Sequence, residues 1–185
     1  MKKINKLGKI LTRIIEICHW VGAALMIAAT VCLAVAPKWV GSFISFESAE
    51  CCGAYLEVYG FEINAPTVDG MVDRTLLIIF CIGAVIILSV MAMIFRNLYL
   101  IFQRSENATP FLKDNVRLMR EIGIFTIAIP VIGLIMSIIA RLVGGVDSAE
   151  FSIDMSGVLM GIIVLCLTQF FAYGAELEND VDGLV

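Results

Sequence analysis

Four continuous apolar runs, at roughly residues 14–36, 76–99, 122–142 and 155–173, constrain this chain more than any other feature. Each has about the 20 residues that a helix rising ~1.5 Å per residue needs to cross a hydrocarbon core ~30 Å thick. A bilayer offers no water to backbone N–H and C=O groups. A spanning segment is therefore a helix or part of a closed barrel, and unbroken apolar runs lack the alternation of barrel strands. The runs predict an all-α membrane protein, a single membrane domain over residues 1–185 built as a four-transmembrane-helix bundle. Composition agrees, with 60% of the 185 residues hydrophobic and 16% charged, against about a quarter charged in an average soluble domain. The remaining segments are a basic N-terminal tail, an outer loop at 37–74, a connector with its helix at 109–121, a short second outer loop and an acidic tail at 174–185. None is long enough to bury a core of its own.

Charge sets the expected orientation, because Lys and Arg near span ends stay on the cytoplasmic side. Lys2, Lys3, Lys6, Lys9 and Arg13 precede the first run, Arg96 stands near the end of the second, and Arg104, Lys113, Arg117 and Arg120 lie between the second and third. Those are ten of the thirteen basic residues; Lys38, Arg74 and Arg141 are the others. Both termini are expected inside, and the net charge of −4 reflects acid concentrated in the outer loop and the tail rather than one acidic surface. A signal peptide is the rival reading of the N-terminus, with Ala34-Val35-Ala36 in the position of a cleavage site. The long first run and Pro37 after it favour a retained span.

In the outer loop, Tyr55-Leu56-Glu57-Val58-Tyr59 and Phe61-Glu62-Ile63-Asn64 flank Gly60, which predicts a small β-hairpin capping the helix ends. Trp39 and Phe43 suit the interfacial aromatic belt. In the connector, Thr109 is an N-cap candidate for a helix opening at Pro110. Leu112, Val116 and Met119 fall on one side of that helix, and Lys113, Arg117 and Arg120 on another. The pattern predicts a short amphipathic helix on the inner membrane surface that turns into the third span, its basic face available to anionic lipid or to the acidic tail.

The run Thr109-Pro110-Phe111, Asn115, Leu118-x-Arg120-x-Ile122-Gly123, and the ending Phe171-Ala172-Tyr173-Gly174-Ala175-Glu176-Leu177-Glu178-Asn179-Asp180-x-Asp182 resemble bacterial four-span membrane proteins catalogued as a domain of unknown function. Genes of that family often lie beside one for a helix-turn-helix regulator of the Cro/CI type. The resemblance therefore implies a bacterial inner-membrane, non-enzymatic regulatory component with a cytoplasmic protein partner. Two positions depart from the family pattern, Thr109 where glycine is usual and Glu178 where glutamine is usual. The candidate functional surface is Thr109, Pro110, Phe111, Asn115, Arg117, Arg120, Glu176 and Asp180, with Glu176 or Asp180 expected to reach Arg117, Arg120 or Arg96.

Polar residues within spans are the natural places for intramembrane chemistry. Glu16 and His19 lie three apart on one face of the first run, as a proton-coupled transporter would use them, or as an anchor in which Glu16 pairs with Arg13. A two-histidine haem site is excluded within the chain, since His19 is its one histidine. Of six cysteines, the adjacent Cys51 and Cys52 are the candidate redox pair, although neighbouring cysteines form a strained ring. Cys18, Cys32, Cys81 and Cys166 read as small apolar residues. No phosphate loop, Gly-x-Ser-x-Gly or His-Glu-x-x-His motif occurs, so no cofactor, metal or catalytic residue is expected. Topology accounts for the inner basic charge, so no direct contact with nucleic acid is expected. Gly157 with Gly161, and Ala24 with Ala28, permit close helix approach, inside one chain or between copies in a homodimer. Pro130 interrupts the helical ladder of the third span.

Overall fold

The computed structural model describes residues 2–35, 54–68, 71–105, 113–149 and 154–182. Its long helices are α1 (Lys2–Val35), α2 (Arg74–Arg104), α3 (Lys113–Gly144) and α4 (Met155–Asp182). All four are long and apolar enough to cross a membrane, which makes the chain a multi-pass helical membrane protein. Their outward side chains are large and apolar, among them Leu7, Ile14, Leu25 and Val31 on α1 and Leu159, Ile163, Phe170 and Tyr173 on α4. In water such faces would be aggregation surfaces; against acyl chains they carry no penalty.

The helices overrun the apolar segments. α1 is helical from Lys2, where Lys and Leu are strong helix formers and the single Gly8 does not interrupt the helix. The connector is not a separate surface helix. From Lys113 it is continuous with the third span as far as Gly144, and no Gly or Pro between Lys113 and Ile122 supplies a corner. The proposed cap at Thr109 and Pro110 lies outside the described residues. α4 runs on to Asp182, as the helix-favouring Ala175-Glu176-Leu177-Glu178 predicts.

The expected hairpin is present. β1 (Ala54–Val58) pairs antiparallel with β2 (Phe61–Ala65), Val58 facing Phe61 across the turn Tyr59-Gly60. Both turn residues have positive φ, 49° at Tyr59 and 77° at Gly60. Two left-handed residues are what a two-residue turn needs to match the right-handed twist of its strands. A second, two-residue ladder joins β3 (Thr67–Val68) to β4 (Met71–Val72).

Two compact units emerge. One comprises Val21–Ser89 and Ile129–Asp154; the other Met1–Trp20, Val90–Ala128 and Met155–Val185. In the first, Phe61, Ile63 and Ala65 alternate inward along β2 and are fully buried. The Phe61 ring stacks on Phe80 of α2 at 5.7 Å. It rests against Gly83, where an added Cβ would come within 2.6 Å of the ring, and its own Cβ lies 3.6 Å from the Cβ position of Gly133 on α3. Two glycines thus form the seat of the hairpin's aromatic anchor. At the end of α2 the Arg74 guanidinium donates a 2.6 Å hydrogen bond to the Ala34 carbonyl, satisfying an orphan acceptor in the last turn of α1.

In the second unit small residues bring α3 and α4 together. A Cβ on Gly123 would lie 2.7 Å from Leu165, and one on Gly161 would collide with Ile127. The glycine pair of the fourth span therefore has its Gly161 committed to packing inside the chain. Ala24 and Ala28 are exposed.

Candidate functional site

Side-chain polarity is concentrated in the unit formed by Met1–Trp20, Val90–Ala128 and Met155–Val185. There Thr12 and Glu16 of α1, Asn97 of α2, Asn115 of α3 and Thr168 of α4 are all buried, at least one from each helix. Buried polar groups need partners. The hydroxyls of Thr12 and Thr168 donate 2.8 Å hydrogen bonds to the Gly8 and Val164 carbonyls, one turn back on their own helices. The Asn97 amide reaches across to α3 and donates to Glu121 Oε2 at 3.0 Å. Arg117 approaches the other oxygen of Glu121 at 3.6 Å.

Glu16 and His19 share a face of α1, and each has a partner of its own there. Arg13 Nη1 donates to Glu16 Oε2 at 2.7 Å, and the same guanidinium lies over the Tyr99 ring of α2, 5.3 Å from its centroid. Glu16 is buried while the Arg13 side chain is about half exposed, so the arginine stem snorkels towards the interface and carries the charge outward. His19 donates Nδ1–H to the Ile15 carbonyl at 2.8 Å, and its ring meets Phe95 at 5.3 Å. Both polar groups are thereby tied into the packing of α1 on α2.

The candidate surface is redistributed by the structure. Asn115 is fully buried. Its helical phase, shared with Leu118 and Ile122, turns it inward, so it belongs to the interior and not to a docking face. Arg117 and Arg120 are exposed, as are Glu176 and Asp180. Arg117 pairs with Glu121 on its own helix, and Arg104 pairs with Asp114 at 3.2 Å. Among the described residues no ion pair joins Arg96, Arg117 or Arg120 to Glu176 or Asp180, so the expected link between tail and connector is not formed there. The i,i+4 spacing of Arg117 and Glu121 supplies a nearer carboxylate at lower entropic cost. Thr109, Pro110, Phe111, Cys51 and Cys52 lie outside the described residues.

Sequence reasoning missed two features. The seat of Phe61 at Gly83 and Gly133 depends on residues 22 and 72 positions away, and only the β-strand alternation hinted that Phe61 faces inward. The Asn97–Glu121 bond joins a polar residue near the end of one run to an acid near the start of the next, a pairing that a count of charges alone does not expose. Among the described residues no group of three or more His, Cys, Asp or Glu is placed to hold a metal ion. No family model, curated protein or solved structure matches the chain.

Proposed function

We propose that the chain is a non-enzymatic regulatory or accessory protein of a bacterial cytoplasmic membrane. Its four spans form a bundle with both ends inside, and it relays an outer-face or bilayer signal to a cytoplasmic protein partner, by family resemblance a helix-turn-helix regulator. The division of basic residues supports the orientation. The observation that carries the relay is the seating of Phe61 between the glycine notches of α2 and α3. A hairpin held only by its own turn is marginal, so its position is set by those two helices, and conversely whatever moves the hairpin acts on them. Each of the two helices continues to a charged inner segment, Arg96 to Arg104 on α2 and Lys113 to Glu121 on α3.

A second reading, a proton-coupled transporter, draws on the buried carboxylate of Glu16. The Arg13 partner and the backbone-bound ring of His19 favour anchoring over proton transfer. The relay is tested with single cysteines at Lys113 and Glu176 in a chain lacking its native cysteines, in membrane vesicles open on the inner side. Replacing Phe61 by Ala should change the thiol-labelling rate at one or both inner positions several-fold. Unchanged inner rates, with the hairpin itself becoming reactive at Glu57, would reduce the hairpin to a passive cap and end the relay.

A further inference from the structure

We propose that the exposed face of the α2/α3 pair carries a site for the phosphate of an anionic phospholipid, formed by Arg96 and Arg120 with Lys113 beside them. The site rests on the membrane placement given above. The contacts Asn97–Glu121 and Arg104–Asp114 make α2 and α3 antiparallel neighbours at this level. Successive helical residues turn by about 100°. In an antiparallel pair facing each other at 97 and 121, the preceding residue on each helix turns to the same side, which puts Arg96 and Arg120 on one face. Lys113 and Arg117 recur there at spacings of seven and three from Arg120, and all four are exposed.

Among the described residues no carboxylate neutralises this face. Among the described residues Arg96, Arg120 and Lys113 make no ion pair. The neighbouring carboxylates are already engaged, Glu121 by Asn97 and Arg117 and Asp114 by Arg104. One turn towards the hydrocarbon, Met93 stands next to Arg96 and Ile124 next to Arg120, both exposed, an apolar landing for an acyl chain below a cationic pair. Depth agrees as well. Arg74 to Arg96 on α2 and Arg120 to Arg141 on α3 each span about 32 Å at ~1.5 Å per residue, close to the ~30 Å hydrocarbon thickness. Arg96 and Arg120 therefore fall at phosphate level in the inner leaflet, and guanidinium groups bind phosphate in a bidentate manner.

The test uses the full chain purified in a mild detergent and titrated with phosphatidylglycerol or phosphatidylcholine, with bound lipid counted by native mass spectrometry. Phosphatidylglycerol should be retained at least tenfold better than phosphatidylcholine. At about fivefold per charge, Arg96→Gln or Arg120→Gln should weaken it about fivefold and the double variant about 25-fold. Arg96→Lys with Arg120→Lys should retain most of the preference, separating a binding role from a folding role, and circular dichroism should show the helices unchanged. Arg141→Gln removes the same charge at the far end of α3 and should have less than a twofold effect. Equal retention of both lipids, or equal loss in Arg141→Gln, would overturn the site. Displacement of phosphatidylglycerol by millimolar inorganic phosphate would make it a free-anion site instead and overturn the lipid assignment. Carbonate washing of membranes separates the two levels of the argument. A chain released by the wash defeats both the membrane reading and the site, whereas a retained chain without lipid preference defeats the site alone.

Discussion

The two compact units differ in the polarity of what they bury. In the unit of Val21–Ser89 and Ile129–Asp154, the fully buried large side chains are Phe61, Ile63, Leu76 and Ile87, together with the small Ser148, and close fit is achieved by glycine. In the other, the largest fully buried side chains are Asn115 and Thr168, and the buried set includes Thr12, Glu16 and Asn97. Lipid tails are as apolar as leucine, so apolar burial alone discriminates poorly between correct and incorrect helix contacts in a membrane. Both units use glycine notches for close fit, and the second adds a hydrogen bond between helices, Asn97 to Glu121, where basic side chains gather. The glycine fit is steep in volume; the hydrogen bond is shallow in energy but specific in partner.

The largest effect is therefore expected at Phe61. Truncation to Ala empties a fully buried site and should cost about 3–5 kcal/mol, measured as reduced denaturant or thermal stability in micelles, with the hairpin becoming protease-sensitive. A cost below about 1 kcal/mol would mean that the seat contributes little and would dissolve the contrast between units. Asn97→Ala removes the bond to Glu121, which is part-exposed, so about 1.5 kcal/mol is expected, at the low end for a hydrogen bond to a charged group. Glu16→Gln keeps an acceptor for the half-exposed Arg13 and should cost at most about 1 kcal/mol.

How much of this was legible in the sequence differs element by element. The four helices were, because an apolar run of twenty residues in a bilayer leaves the backbone no alternative. The hairpin was, from Gly60 between two β-branched and aromatic stretches. Helix ends were not: the charged stretch Lys2 to Arg13 stays helical through Gly8, and Lys113 to Glu121, read as a surface helix of its own, has no Gly or Pro and is continuous with the third span. Asn115 was placed on the candidate surface with the motif it belongs to, whereas its phase with Leu118 and Ile122 turns it inward. Partners far apart in sequence, Phe61 with Gly83 and Gly133 above all, are set by the mutual placement of elements and leave no local trace.

A smaller, opposite effect sharpens the picture of the hairpin. Tyr59 occupies a left-handed position that Asn accepts more readily. Tyr59→Asn should stabilise the turn by roughly 0.5–1 kcal/mol, minus whatever contact the ring provides, read from the protease resistance of the hairpin. Burial raises the Tyr59 phenol above its ordinary 10.0. Because the folded value lies above the unfolded one, the wild-type hairpin should keep its stability below pH ~10 and lose it as pH rises through the folded value. Tyr59→Asn should abolish that alkaline loss.

The relay and the lipid site depend on four spans with both ends on the basic side of the membrane. Single cysteines at Asn5, Glu57 and Glu176, in a chain without its native cysteines, give the most direct measurement when intact cells are treated with an impermeant thiol reagent. The account predicts labelling at position 57 in intact cells, and labelling at positions 5 and 176 only after the membrane is opened. Labelling of position 5 or 176 from outside, or protection of position 57, would contradict it.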